Sequence, residues 1–464
     1  MSRRYRCSYL FFALSLYSCE GFNPPRSSQK SIRWQEHQFK VQHLLHRQTH
    51  PFKARLYAST SLESERLLLA EEIRRTYQES ETDGVLKLFL SNTTSQFGID
   101  EVVSATLKAV QGRKGEVASI LNALVGSYCL SKDCEDASSR VSDFLEAFDE
   151  LEETMDINPD IVTYSLAYKA SSLNGQSNDL ADYILDRASR MSKKLAGGKR
   201  RKELAAARRK AISTCSASVD ELKSLIGDDF GVLYETDEFV VINKPSGVPC
   251  FHNKKTTAGK IKKGKGRKGV KADISLEAAL ISCNVPLSTL NPEALGMVHR
   301  LDRGSSGCMV LAKTDDFHAK LVSEFFLRRT NKKYLTLVTP APADSIASEG
   351  IIDLPVSGRP AKSSYNVLER YGNSAALVEF DIYTGRKHQV RVHAAEGLSA
   401  PVAMDDLYSG EFESSIDGLF ETNENKQMFF LHSSKLVIPE YGIDVEAPVP
   451  SWWEESMEAL RQTY

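Results

Sequence analysis

Two periodicities divide the chain. Between residues 60 and 192 apolar positions recur at helical spacing. The segment DFLEAFDELEETM puts Phe144, Leu145, Phe148, Leu151 and Met155 on one helical face and acids on the other, the pattern of an amphipathic core helix. TSLESERLLLAEEIRRTYQ opens on Thr60 with Glu63 three positions later, a capping-box spacing that predicts a helix start with Thr60 as its cap. From Gly231 the runs shorten. VLYETDEFVVINKPSGVP, GCMVLAKT, KKYLTLV, AALVEFDIYTG and MFFLHSSKLVI alternate or are wholly apolar between Pro, Gly and polar breaks, and predict strands. FHAKLVSEFFLRR keeps helical spacing. The expected fold is an all-α module followed, over residues 228–464, by an α+β domain with a mixed β-sheet and flanking helices.

The helical part has a paired rhythm. Residues 158–191 resemble a single pentatricopeptide repeat through Pro159, Asp160, the Val162-Thr163-Tyr164 start of a first helix and Ala181 in a second. Upstream, ILNALVGSYCLSKDCEDASSRVSDFLEAF has the same rhythm with extra residues between its helices. Helical repeats bury their faces by stacking, so roughly three or more are needed. Residues 60–192 are therefore read as a repeat-like module, and the resemblance implies RNA contact.

Charge refines this layout. A length of 464 residues implies two or three domains, and the net charge of −2 conceals strong segregation. Residues 193–227 are read as a basic linker. The run RMSKKLAGGKRRKELAAARRK (190–210) is either a solvated linker helix or an arm for phosphates. KKTTAGKIKKGKGRKGVK contains no acid and too much Gly and Lys to pack; it predicts a flexible insert over 253–272, close to nucleic acid. At the N-terminus Arg3, Arg4 and Arg6 precede the short apolar run YLFFALSLY, and the next stretch to residue 60 carries Glu36 as its sole acid. A signal-like piece followed by a transit-like piece resembles the bipartite plastid presequence of algae with secondary plastids. Residues 1–59 are thus expected to be a targeting segment without fixed structure, leading to a plastid or, alternatively, a mitochondrion. No later stretch is long and apolar enough to span a bilayer, so no membrane association is expected of the mature protein. Eight cysteines without a Cys-x-x-Cys pair argue against zinc and against a disulfide framework.

The chemistry concentrates in short segments. MVHRLDRGSSGCMVLAKT (297–314) joins a charged cluster to an apolar strand through a small-residue turn. With NKPSG (243–247), KKY (332–334), TGRKHQVRVH (384–393), MDDLY (404–408) and LHSSKL (431–436), its order and spacing resemble the RluA-type RNA pseudouridine synthases over residues 228–450. The resemblance implies a pseudouridine-synthase-like catalytic domain that acts on ribosomal, transfer or messenger RNA as a monomer, without cofactor or metal. It implies that Asp302 is the catalytic carboxylate, as nucleophile or as the group that triggers glycosidic cleavage. Arg386 matches the arginine that pairs with it, and Arg391 is the nearby second candidate. Tyr334 matches a tyrosine lying against the target base, where its face stacks and its hydroxyl can move a proton. Arg300 helps displace the base and Leu431 lines the pocket. His299 and Lys244 complete the candidate substrate-binding set, although Lys244 and Pro245 also read as structural. His388 and His393 lack a third metal ligand nearby and read as hydrogen-bonding histidines.

Three departures bear on substrate choice: Lys387 where threonine is usual, Met404 where glycine precedes Asp405, and the Lys/Gly-rich insert. The small RNA-binding module found ahead of many relatives is not evident either. A non-catalytic RNA-binding or assembly factor that retains the fold is the alternative reading, and a helical adaptor for a protein partner is a third.

Overall fold

The structure, a computed structural model, describes residues 60–91, 98–111, 113–130, 137–172, 178–196, 202, 214–251, 274–339, 346–409 and 428–464. The expected presequence, the Lys/Gly-rich insert, most of the basic stretch and the side chains of the Thr60 capping box lie outside these residues. Ala58–Tyr464 forms one compact unit.

Six helices come first: α1 Thr60–Leu90, α2 Ile99–Ala109, α3 Lys114–Leu130, α4 Ala137–Met155, α5 Ile161–Ser172 and α6 Asn178–Leu195. Phe144, Leu145, Phe148 and Leu151 are buried as their spacing predicts, but Met155, at the last turn of α4, is 46% exposed. Asp160 starts α5: its carboxylate accepts from the Thr163 amide at 2.8 Å, and its own amide donates to the Thr163 hydroxyl at 3.0 Å. The pair α5–α6 occupies the stretch that resembles a repeat.

Helix α1 is kinked at Glu81, with φ 51° and ψ −142°. A non-glycine residue held there costs roughly 1–3 kcal/mol. Gly84 permits the bend: a Cβ there would lie 2.7 Å from Ser80 Cβ and 2.9 Å from Thr76 Cγ2.

The second half is built on a sheet. Its strands are β1 Gly231–Glu235, β2 Phe239–Lys244, β3 Ser306–Ala312, β4 Asn331–Val338, β5 Glu349–Asp353, β6 Lys362–Tyr371, β7 Ala375–Ile382, β8 Leu431–Ile438 and β9 Ile443–Glu446. Their order is β1-β2-β3-β8-β4-β7-β6-β5, with β9 on β8. Neighbours are antiparallel except β3 and β8, which run parallel through Ser306–His432 and Gly307–Ser433. Helices α7 Val219–Ile226, α8 Leu276–Ser282, α9 Asp315–Phe326, α10 Gln389–Val392 and α11 Ser451–Thr463 flank the sheet. The linker expectation is corrected here. Cys215, Leu222 and Ile226 pack into one core with β2, β3 and α8, because the apolar face of α7 needs the cover. The five cysteines among the described residues are buried thiols, none in a disulfide. No helix among the described residues is long and apolar enough to cross a membrane.

Helix α5 packs along α9, joining the helical half to the sheet half. Lys169 of α5 meets Glu324 of α9 at 2.5 Å, and their side chains are 6% and 0% exposed. Arg329 Nε lies 3.5 Å from the second Glu324 oxygen, and Glu440 bridges Arg329 at 2.7 Å and Lys169 at 3.7 Å. Removing one member of a buried pair strands the other charge. Lys169→Met should therefore cost about 3 kcal/mol in urea unfolding, and Lys169→Met with Glu324→Leu should regain most of it. An unchanged urea midpoint for the single variant would show the pair to be dispensable.

Candidate active site

The parallel junction of β3 and β8 organises the site. Gly307 stands there with φ 114°, and a Cβ would lie 2.6 Å from the Ser433 amide nitrogen. This close approach explains the small residues after HRLD. His432 secures the junction from behind. Its Nε2 lies 3.1 Å from the Ala447 carbonyl and its Nδ1 2.9 Å from the Ser306 hydroxyl. Burial pushes its pKa down to about 4, so the neutral ring donates through Nε2 and accepts through Nδ1.

Asp302 ends the loop that leads into β3. The NKPSG turn forms the bed of that loop. Lys244 Nζ donates at 2.8 Å to the carbonyls of Pro245, Val248 and Ser305. Arg303 Nε donates to the Gly247 carbonyl at 3.1 Å, and the Ser246 hydroxyl to that of Gly304 at 2.5 Å. Lys244 is wholly buried and burial lowers its pKa to about 8, so it remains charged at neutral pH within its carbonyl cradle. It braces the Asp302 loop and is not among the residues that line the cavity, in keeping with its structural reading and not with its place in the substrate-binding set. His299 is corrected likewise. Its Nε2 accepts from the Val310 amide at 3.0 Å, its ring stacks on Phe325, and burial and Lys332 hold its pKa at about 3. This neutral ring ties the loop to β3.

A cavity of about 240 Å³ opens beside Asp302, bounded also by Arg300, Tyr334, Arg386, His388 and Leu431. Tyr334 stands at a register shift where β4 pairs with β8, a bulge of the kind that re-aims side chains. Burial, with Asp302 and Cys308 nearby, raises its pKa to about 12 against a hydrogen bond to Ser433, so it is a neutral phenol. Arg300 is exposed at the rim, its guanidinium 5.2 Å from the Phe251 ring centre.

The cation facing Asp302 is Arg391, not Arg386. Arg391 Nη1 lies 3.3 Å from Asp302 Oδ2. Its Nε and Nη2 each reach Asp405 at 2.6 Å, and the rings of Phe429 and Tyr408 lie 4.5 and 4.9 Å from it. Burial disfavours the charged guanidinium, but Asp405 and Asp302 outweigh it and raise its pKa. Arg386 instead donates to the Pro360 carbonyl at 2.9 Å and to Glu81 of α1 at 2.7 Å. The turn geometry explains the exchange. Gln389 accepts from the Arg386 amide and the Thr384 hydroxyl, and donates to the Lys362 carbonyl and the Ser363 hydroxyl. This pins TGRKH to β6, and α10 then carries Arg391 back to Asp302.

His388, with φ 61°, starts α10. Its Nε2 is 3.5 Å from Asp302 and its Nδ1 2.9 Å from the Tyr408 hydroxyl. Burial, then Arg391 and Lys387, lower its pKa against the pull of Asp302 and Asp405.

The chain carries this arrangement on a recognised framework. Residues 238–396 match the family model of RNA pseudouridylate synthases. The ribosomal large subunit pseudouridine synthase D of Xanthomonas campestris is 32% identical over 252 residues, covering 50% of this chain and 69% of that protein. The ribosomal large subunit pseudouridine synthase C of Salmonella typhi is 30% identical, covering 50% and 70%. The chain belongs to the RluA-type RNA pseudouridine synthases. A solved human structure, RNA Pseudouridylate Synthase Domain Containing 4, aligns with 53% of this synthase and 97% of its own chain, at 25% identity and a TM-score of 0.39.

Within this synthase, Asp302, Tyr334, Arg300, Arg386 and Leu431 meet at one cavity with Arg391 behind Asp302, while Lys244 and His299 serve the loop beneath. Sequence reasoning left Asp405 and Tyr408 without roles, although MDDLY marks both, and read His388 only as a hydrogen-bonding histidine. Met404 has φ 64°, the conformation for which glycine is suited. Its side chain packs against two apolar clusters, which offsets the strain. Asp405→Asn keeps the shape but strips Arg391 of its buried counter-charge. It should cost about 3 kcal/mol in urea unfolding and lower pseudouridine formation at least about 100-fold; wild-type turnover would remove Asp405 from the site.

Proposed function

We propose that this synthase isomerises specific uridines in RNA through Asp302, with Arg391 as its counter-cation. The observation that carries this is a carboxylate, 16% exposed, that faces the cavity with Arg391 3.3 Å behind it. The reaction breaks the bond from N1 of uracil to the sugar and forms one from C5. A proton leaves C5, and N1, freed from the sugar, gains one, so composition is unchanged and nothing is oxidised or reduced. A carboxylate oriented by a fixed guanidinium can attack or assist at the sugar. The Tyr334 phenol lies across the cavity, suited to stack on the base and to move a proton. Arg300, at the rim, can fill the gap left by a nucleotide turned out of the stack. Lys387 and Met404 remove none of these groups.

The names of the bacterial relatives make ribosomal RNA the first substrate to test, before transfer or messenger RNA. The composition of residues 1–59 supports work in a plastid, with the mitochondrion as alternative. The paired helices α5–α6 support a pentatricopeptide-like contribution to RNA choice.

The test is pseudouridine mapping in RNA from cells with and without the protein, rescued by wild type or Asp302→Asn. Specific sites should vanish and return with wild type alone. Restoration by Asp302→Asn would overturn the assignment. In vitro, Tyr334→Phe should slow turnover about 100-fold while RNA affinity stays near wild type; unchanged turnover would remove the hydroxyl from the proton path.

A further inference from the structure

Arginines from separate segments converge on one side of the cavity mouth. Arg328 follows α9, Arg359 lies between β5 and β6, and Arg386 lies in the turn before α10. Their countercharges come from α1, far away in sequence. Glu81 accepts from Arg359 Nε at 2.7 Å and Nη2 at 3.1 Å, and from Arg386 Nη2 at 2.7 Å. Asp83 receives Arg328 Nε at 3.3 Å on both oxygens. A carboxylate bridging two guanidiniums fills the place that a phosphate fills in such forks.

We propose that Arg328, Arg359 and Arg386 form a binding site for RNA backbone phosphates at the mouth of the Asp302 cavity, occupied by Glu81 and Asp83 of α1 until RNA displaces them. This rests on the RNA-modifying function and adds to it a site and a gate.

Four observations support it. The cluster is contiguous with the cavity, because Arg386 lines both. It is open to solvent, because the Arg359 side chain is 58% exposed. Three guanidiniums against two carboxylates leave an excess positive charge. Glu81 is a true anion: burial alone would raise its pKa, but the hydrogen bonds and charges of Arg359 and Arg386 lower it. The α1 backbone also suits a gate. Glu81 sits at the kink, in a conformation unfavourable for its residue type, while Ile73 before it and Val85 and Phe89 after it are buried anchors. The kinked turn can swing away without undocking the helix.

The experiment uses the full chain and a fluorescently labelled, uridine-containing single-stranded RNA, with anisotropy read between about 50 and 200 mM salt. Glu81→Gln with Asp83→Asn should bind about 10-fold more tightly than wild type at the lowest salt, with a steeper salt dependence. Adding Arg359→Ala should remove most of that gain. Asp83→Asn alone, which leaves Glu81 in place, should give a smaller gain in the same direction, and it guards against a misfolded double variant. Unchanged or weaker binding by both acid variants, with wild-type melting temperature, would overturn the proposal and leave the acids as a structural clasp. Affinity is read apart from turnover. If acid variants bind more tightly but no variant isomerises uridine, the phosphate site stands and the catalytic role of Asp302 falls.

Discussion

Everything at the site depends on where the Arg391 guanidinium is held. It is 7% exposed, bonded along one edge to Asp405 and enclosed by two aromatic rings, and it can face Asp302 from one direction only. A planar fork in that setting does more than neutralise charge. It sets the orientation of the carboxylate relative to the cavity, which a flexible ammonium would not do. The two hydrogen bonds to Asp405 fix the fork before any substrate arrives, the condition for electrostatic help without reorganisation.

That fork is the end of a chain of constraints. The parallel contact of β3 with β8 requires glycine at 307 and fixes the start of β3, just after the loop that carries Asp302. The Lys244 cradle fixes the loop beneath it, and Gln389 fixes the turn that launches Arg391. Each support uses backbone carbonyls or amides, so these side chains fix the loop and the turn by holding main chain.

Much of this was legible in the chain. The principal strands followed from alternation, and Asp302, Tyr334, Arg300 and Leu431 followed from ordered motifs. The polar strand β6 and the short β5 and β9 carry weak alternation, because edge positions and bulges dilute it. The exchange of Arg386 for Arg391 was hidden for another reason. Both arginines lie in one ten-residue motif, and which of them faces Asp302 depends on a left-handed residue at His388 and a four-residue helix. Lys244, which also read as structural, and His299 stood among the ligand candidates because neither a buried carbonyl cradle nor a ring that accepts from a backbone amide leaves a mark on a sequence. Glu81 could not be found at all, since its partners lie 278 and 305 residues away.

The Lys169–Glu324 pair carries a consequence for how the chain is made. Glu324 has no exposed side-chain surface, and its closest cation comes from a segment translated more than 150 residues earlier. The helical half is therefore waiting, already synthesised, when the sheet half emerges. Its Lys169 then supplies the nearest positive charge to a carboxylate that the sheet half itself meets with Arg329 at 3.5 Å.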